Sequence, residues 1–274
     1  MKFDIELVGK VGSMALVNDV HDDIDYNVIS NISRNLRPGF IWVTSGAVEI
    51  GRLDYIKRTG RELHGDYEED KADYAAQGQS ILIKYYRDFV RSEYGIRQIL
   101  VEHQHFNDPN KREHLRRMLL RCPAQGVIPI INYNDPVSDE EVRKVEIRAL
   151  REKNDKVVEF VDNDETASQI ACLVKSRYLL ILTGVDGIYT NKSDSSTLVK
   201  EIVGKDKYEL IENIEYYQNF TDGASRKGAH GARAKLEYIK EPIKNDTIVF
   251  IANSKYRIDD IISGVSPSTK IYVK

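Results

Sequence analysis

The sequence predicts an α/β fold: a three-layer αβα sandwich with a mostly parallel central sheet. Short apolar runs alternate with longer amphipathic stretches along almost the whole chain, which is the pattern of a parallel sheet whose crossovers are helices on both faces. The apolar runs end in glycine-bearing or polar loops, where ligands bind in such sheets. Hydrophobic residues make up 41% and charged residues 30% of the 274 positions. That is enough for one large domain or two small ones with a sizeable core and a solvated surface.

Taken in order, residues 3–8 read as the first strand. Residues 24–36 read as a helix, because Ile24, Val28, Ile32 and Leu36 recur at every fourth position. Residues 40–43 form a short buried strand whose Thr44-Ser45-Gly46-Ala47 exit leads into a helix. Residues 71–94 are helical, with Tyr74, Ala75, Gly78, Leu82, Tyr85 and Phe89 along one face. A strand at 98–101 precedes a basic helix at 108–121, and the apolar strand 127–131 ends at Asn132. Residues 138–160 are crowded with charges and read first as a solvated surface excursion, second as a helix or hairpin over the site. Residues 164–174 form a helix with carboxylates in its first turn, where the helix dipole favours them. A strand at 178–182 and an ambiguous stretch at 201–211 follow. After these come a helix over 228–239, a strand at 247–251, a short helix at 258–262 and a last strand at 270–273.

Composition narrows the function. The net charge of -3 lacks the basic excess of a nucleic-acid-binding face, so no nucleic-acid partner is expected. Two cysteines, Cys122 and Cys172, do not make a disulfide scaffold. The N-terminus has no apolar leader core and no apolar run reaches the length of a membrane span, so a cytoplasmic protein with no membrane partner is expected. There is no G-x-x-x-x-G-K-[ST] loop, no G-x-G-x-x-G after a strand and no G-x-S-x-G elbow. His103-Gln-His105 lacks the companions of a metal site and reads as surface polarity.

The strand-end loops carry the chemistry. Lys10-Val11-Gly12-Ser13 can bring an ammonium and backbone N–H groups to a phosphate. Thr44-Ser45-Gly46-Ala47 can expose donors at a helix N-terminus. Asn132-Tyr133-Asn134-Asp135 is either a substrate loop or an Asx turn. Val161-Asp162-Asn163-Asp164 is either an N-cap or a group that orders lysines and a metal near a triphosphate. Residues 183–190 and the glycine-bearing segment 228–236, with Lys235 about two turns in, complete the set.

In order and spacing these segments resemble glutamate 5-kinase, within the amino acid kinase superfamily. The resemblance rests on VTSGAV with Gly51, AAQGQ at 75–79, GVIPIINYND at 126–135, VDND at 161–164, LTGVDGIYT at 182–190 and the segment 228–236, and it spans essentially the whole chain. It implies a single amino acid kinase domain over residues 1–274, with a substrate half up to about 165 and a nucleotide half beyond it; the C-terminal RNA-binding-like domain of many bacterial members is not expected within these 274 residues. It also implies ATP-dependent phosphorylation of the L-glutamate side-chain carboxylate, the first step of proline synthesis, by a homo-oligomer.

By the same resemblance, Lys10 and Lys235 would flank the transferred phosphoryl group while Asp164 holds them. Ser45, Gly46, Ala47, Asn134, Asp135 and Asn163 would bind the acceptor. Lys10, Gly12, Ser13, Thr183, Gly184, Asp186, Tyr189, Gly228, Gly231 and Lys235 would contact ATP, with Mg²⁺ carried by the nucleotide rather than by protein ligands. The chemistry agrees with this set: a carboxylate is already a nucleophile at neutral pH, so the need is positioning and charge neutralisation rather than a general base.

The chain departs from the family at Tyr133 for Glu, Val161 for Gly, Gly184 for Asp, in the Gly228-Ala-His230-Gly231-Ala loop and in the long stretch between Asp135 and Asp162. Lys10, Lys235 and Asp164 are kept. The acceptor therefore stands open between glutamate and another small carboxylate, phosphate or phosphonate. A non-catalytic nucleotide or amino-acid sensor on the same fold is the third reading.

Overall fold

The computed structural model describes residues 3–274 apart from 19–20, 154–156, 160–161, 192 and 222–230. Its eight-stranded sheet is built from β1 (Ile5–Val11), β2 (Phe40–Thr44), β3 (Gly95–Val101), β4 (Val127–Tyr133), β5 (Ser176–Thr183), β6 (Glu201–Gly204), β7 (Ile248–Asn253) and β8 (Ser268–Val273). The order across the sheet is β6-β8-β7-β5-β1-β2-β4-β3. The six strands from β7 to β3 pair parallel. The outer pair β8 and β6 runs the other way, joined through an antiparallel β7–β8 contact.

Alternation along the strands divides the core into two layers. Val8, Ile41, Val43, Ile131, Leu179, Ile181 and Val249 face a layer that includes residues of helices Pro109–Arg121, Asn163–Leu173, Lys207–Gln218 and Gly231–Tyr238. Leu7, Phe40, Trp42, Ile130, Leu180, Leu182 and Phe250 face the opposite layer, with residues of helices Tyr26–Asn35, Ala47–Thr59, Tyr67–Phe89 and Ile258–Ile262. This is the expected αβα sandwich. Among the described residues no helix is long and apolar enough to cross a membrane.

Several strands run longer than their apolar runs suggest, because pairing on both sides recruits polar residues. β1 continues through Val11, which lies opposite Thr44 on one side and Leu182 on the other; Lys10 is therefore inside the strand rather than after it. β4 takes in Asn132 and Tyr133, which lie opposite Leu100 and Val101. The ambiguous stretch resolves into β6 and helix Lys207–Gln218, started by Asp206, whose carboxylate accepts from Tyr208 N and Glu209 N. The long helix starts at Tyr67 on an Asp66 cap and stops at Phe89, where Val90 turns extended.

Helices Ala47–Thr59 and Tyr67–Phe89 cross closely through two glycines. A Cβ at Gly78 would lie 1.8 Å from the Ala47 carbonyl oxygen, and one at Gly51 would lie 1.8 Å from that of Tyr74. Backbone faces backbone here, so no rotamer change can relieve the clash. This crossing fixes the helix that leaves the Ser45 turn. Gly78→Ala is expected to destabilise the protein by about 3 kcal/mol, measured by urea unfolding. A change within the experimental error would show that the helices can separate freely.

The charged stretch combines both readings. Residues Glu140–Arg151 form a helix capped by Asp139, most of whose residues are exposed, while Ile147 is buried. His103 is also buried rather than a surface group, and its Nε2 stands 3.0 Å from Glu146 Oε2 on that helix. Beyond the helix, Asn107 Nδ2 donates to the Val158 carbonyl at 2.8 Å, and Val158 N donates to Asn107 Oδ1 at 2.9 Å.

Candidate active site

The centre of the site is a carboxylate gripped from two sides. Lys10 Nζ lies 2.6 Å from Asp164 Oδ1, and Lys235 Nζ lies 2.9 Å from Asp164 Oδ2. Lys10 comes from β1, held between β2 and β5, so its backbone is fixed by pairing on both sides. Asp164 stands in the first turn of helix Asn163–Leu173, whose N-cap Asp162 accepts from the Asp164 and Glu165 amides at 2.8 and 3.0 Å. Lys235 comes from helix Gly231–Tyr238, fastened by Ser168 Oγ donating to the Tyr238 carbonyl at 2.5 Å.

Burial by itself would raise the Asp164 carboxyl, but the ammonium groups of Lys10 and Lys235 outweigh it and hold it below the ordinary carboxylate range. Asp162 moves the other way, raised by burial and by the neighbouring Asp164 charge. Lys10 and Asp164 are almost completely enclosed, whereas the Lys235 side chain keeps 20% of its exposure. Lys235 thus faces the open side of the site.

A second group adjoins this centre. Asn163 Nδ2 donates to Ser45 Oγ at 3.0 Å and to Asn132 Oδ1 at 3.1 Å. Those bonds set the amide orientation and leave Asn163 Oδ1 buried with no hydrogen-bond partner, an acceptor suited to the N–H of a ligand. Ser45 follows β2 directly, and Gly46 takes φ +102° before helix Ala47–Thr59. That left-handed conformation is cheap only for glycine, and it starts the helix at the strand's end, with Ala47 buried as its first residue.

Asn134 Nδ2 donates to Glu102 Oε1 at 2.7 Å. Asp135 begins a single 3₁₀ turn, Asp135–Val137; burial raises its carboxyl, while Lys71 and Arg143 pull it back. Gln79 Nε2 donates to the Tyr133 carbonyl at 3.3 Å and ties the AAQGQ segment to this loop.

On the other side of β1, β5 ends at Thr183, whose Oγ1 accepts from Val185 N and donates to the Val185 carbonyl in a local turn. The exposed Gly184 offers its carbonyl to Asn253 Nδ2 at 3.0 Å. Asp186 pairs with Lys255 at 3.4 Å, and Tyr189 lies in a two-stranded ribbon with Leu198–Val199. Gly12 and Ser13 follow β1, and a Cβ at Gly12 would stand 3.7 Å from Lys10 Nζ. Gly231 opens the helix that carries Lys235. Gly228, His230 and Val161 lie outside the described residues.

The structure thus joins Lys10, Asp164 and Lys235 in one ion-paired group, places the hydrogen-bonded Asn163 and Ser45 beside it through the chain neighbours Asn163 and Asp164, and sets the 183–186 turn one strand away. Sequence reasoning overlooked Asn132 as a bonded member and Lys71 and Arg143 as neighbours of Asp135. Asn132 lies in a motif that could have flagged it; the two cations sit among many other charges and carry no local signal. Among the described residues no three His, Cys, Asp or Glu side chains group as a metal site.

The profile of the Amino acid kinase family matches residues 7–253. The chain belongs to the amino acid kinase family. Glutamate 5-kinase from Streptococcus suis (strain 05ZYH33) is 28% identical over 258 residues, which is 91% of this chain and 64% of that relative. The chain thus spans just under two thirds of that relative's length. Glutamate 5-kinase from Alkaliphilus metalliredigens (strain QYMF) is 28% identical over 260 residues, 91% of this chain and 88% of its own. Among solved structures, UMP kinase from Ureaplasma parvum superposes with a TM-score of 0.53 at 12% identity, covering 98% of this chain and 99% of that one. A protein of Aeropyrum pernix K1 gives 0.55 at 11% identity, covering 98% and 100%. These two establish the amino acid kinase fold by shape alone.

Removing the shared carboxylate leaves two ammonium groups facing each other. Asp164→Asn is expected to destabilise the protein by about 3 kcal/mol at pH 7, measured by urea unfolding. A carboxyl depressed on folding contributes stability that is present above its unfolded value, about 4, and lost as the pH falls through its folded value. The gap between the unsubstituted protein and the variant should therefore narrow below about pH 4. A gap that stays constant down to pH 2 would show that Asp164 is not held ionised by the lysines.

Proposed function

We propose that the protein transfers the terminal phosphoryl group of Mg-ATP to the side-chain carboxylate of an amino acid, with L-glutamate as the first candidate. The observation that carries this reading is the single buried Asp164 holding an ammonium on each of its oxygens at the carboxyl end of a parallel sheet. Two cations kept that close repel each other unless an anion joins them. An incoming phosphoryl group is such an anion, and lysines held by a third residue need little reorganisation to meet it.

The acceptor needs no base. One carboxylate oxygen forms a new O–P bond while the bond from that phosphorus to the ADP oxygen breaks, and the electron pair leaves with ADP. No proton moves. Lys10 and Lys235 offset the charge on the transferring oxygens, and Mg²⁺ bound to the nucleotide would supply further neutralisation. Gly12, Ser13, Thr183, Gly184, Asp186 and Tyr189, with the Gly228–Gly231 loop, serve the nucleotide. Ser45, Asn134, Asp135 and Asn163 serve the acceptor, and the buried Asn163 Oδ1, which has no hydrogen-bond partner, suits its ammonium. The similarity to glutamate 5-kinases supports the choice of acceptor. A different small acid is the second reading, favoured by Tyr133, whose hydroxyl lies 2.8 Å from Ser138 Oγ and so ties the acceptor loop to the inserted segment.

Hydroxylamine traps acyl phosphates, so incubation with ATP, Mg²⁺ and L-glutamate should yield the hydroxamate in proportion to ADP. Hydroxamate formed only from another acid would establish the second reading. Absence of both hydroxamate and ADP across a panel of small acids would overturn the proposal. Lys235→Ala should lower kcat by about 10²–10³-fold, the usual size for loss of one charge-stabilising donor, with KM for the acceptor changed less than about threefold. A lysine that only covers its helix would instead shift thermal unfolding and leave kcat intact.

A further inference from the structure

Lys235 pairs with Asp164, yet an ammonium that meets a phosphoryl group has to turn away from that carboxylate. Other contacts must then keep its helix in place, and a proline creates the first of them. Helix Gly231–Tyr238 is followed after one residue by helix Lys240–Lys244. In a continuous helix the Tyr238 carbonyl would accept from the amide of residue 242. Pro242 has no N–H, and a proline ring crowds the carbonyl four residues before it. The Tyr238 carbonyl is therefore free to leave the helix ladder, and Ser168 Oγ donates to it at 2.5 Å. Ser168 is 3% exposed and lies one turn after Asp164 on helix Asn163–Leu173. Residues four apart share a helix face. One face thus presents a carboxylate to Lys235 and a hydroxyl to Tyr238, three residues further along. The two helices are joined at two matched points, one ionic and one neutral.

A third attachment comes from a different helix. Gln218, the last residue of helix Lys207–Gln218, is buried. Its Nε2 donates to the Arg233 carbonyl and to Glu237 Oε2, each at 3.1 Å. The same Glu237 oxygen lies 2.7 Å from Lys240 Nζ, which also meets Glu215 at 2.9 Å. Gln218 therefore grips the chain two residues before Lys235 and two residues after it. Leu236 and Ile239 are fully buried in the same apolar cluster as Leu210, Ile214, Ala167 and Ile170, so the helix also packs against both of its anchors.

We propose that Ser168 and Gln218 are positioning residues that hold Lys235 at the reacting phosphoryl group. The Lys235 side chain keeps 20% of its exposure, and the flexible stem of a lysine lets its ammonium swing from Asp164 to an arriving anion. Ser168 and Gln218 bind the helix rather than the ammonium. Both attachments persist when the ion pair opens, and the helix stays placed while the charge it carries is redirected. Lys10 needs no such help, because β1 is paired on both sides. This rests on the proposed phosphoryl transfer and deepens it by naming what holds one of its two cations once the shared carboxylate lets go.

Two measurements separate the positioning role from the reaction itself. The first is steady-state ADP formation from ATP, Mg²⁺ and L-glutamate. Ser168→Ala and Gln218→Met should each lower kcat about fivefold, the size of one neutral hydrogen bond, with KM for ATP and acceptor within about twofold. In the Lys235→Ala protein the same substitutions should change kcat by less than about twofold, because a residue acting through Lys235 has nothing left to place. The second is amide hydrogen exchange of the unliganded protein, read by mass spectrometry. Exchange over residues 234–239 should speed up in both variants and stay unchanged over β1. An equal loss of kcat with and without Lys235 would mean a general structural role and would overturn the proposal. So would unchanged exchange over residues 234–239. Faster exchange there, with no ADP formed by the unsubstituted protein from any small acid, would reject phosphoryl transfer while supporting the anchoring of the Lys235 helix.

Discussion

Everything at the centre of this protein depends on one carboxylate shared by two ammonium groups. Taking Lys10 and Asp164 out of water is costly unless both are ionised and well paired, and the fold meets that demand with rigid supports. β1 is flanked on both sides, Asp162 caps the helix that presents Asp164, and Ser168 fastens the helix of Lys235. Each of these supports is a contact within the chain itself, and fixed supports of this kind are what electrostatic stabilisation without reorganisation requires.

The two ends of the site are built differently. The side proposed for the nucleotide is a set of tight local turns, with Thr183 bonded to Val185 and Gly184 to Asn253. The side proposed for the acceptor is built from long-range contacts: Gln79 from one helix, Glu102 after the edge strand, and Arg143 and His103 through helix Glu140–Arg151. A site assembled from so many elements can change acceptor by changing one of them while Lys10, Asp164 and Lys235 stay in place. Gly51 and Gly78 serve the same end from below, because their close crossing sets the angle of the helix that begins at Gly46.

Much of this was legible in the sequence. The alternation of apolar runs and amphipathic stretches pointed to the layered α/β architecture, and the resemblance to glutamate 5-kinase carried by the strand-end motifs implied roles for Lys10, Asp164 and Lys235. What could not be read there is physical in kind. Strand ends such as Val11 and Tyr133 are set by neighbours distant in sequence, so local hydropathy ended β1 and β4 too early. Helix Glu140–Arg151 looks like solvated surface because Ile147 is its one buried residue and the buried His103 that Glu146 meets lies elsewhere in the chain. His103 itself resembled surface polarity because burial of a single imidazole leaves no periodic trace.

The most direct measurement follows oxygen. L-Glutamate labelled with ¹⁸O in its side-chain carboxylate, incubated with the protein, ATP and Mg²⁺, would pass one labelled oxygen to phosphorus if that carboxylate is the nucleophile. Closure of the product, in which the amino nitrogen attacks the acyl carbon, releases phosphate with the bridging oxygen attached. The account predicts one ¹⁸O in each phosphate released, in step with ADP. ADP accompanied by unlabelled phosphate would mean that water or another group receives the phosphoryl, and would contradict transfer to a carboxylate by Lys10, Asp164 and Lys235.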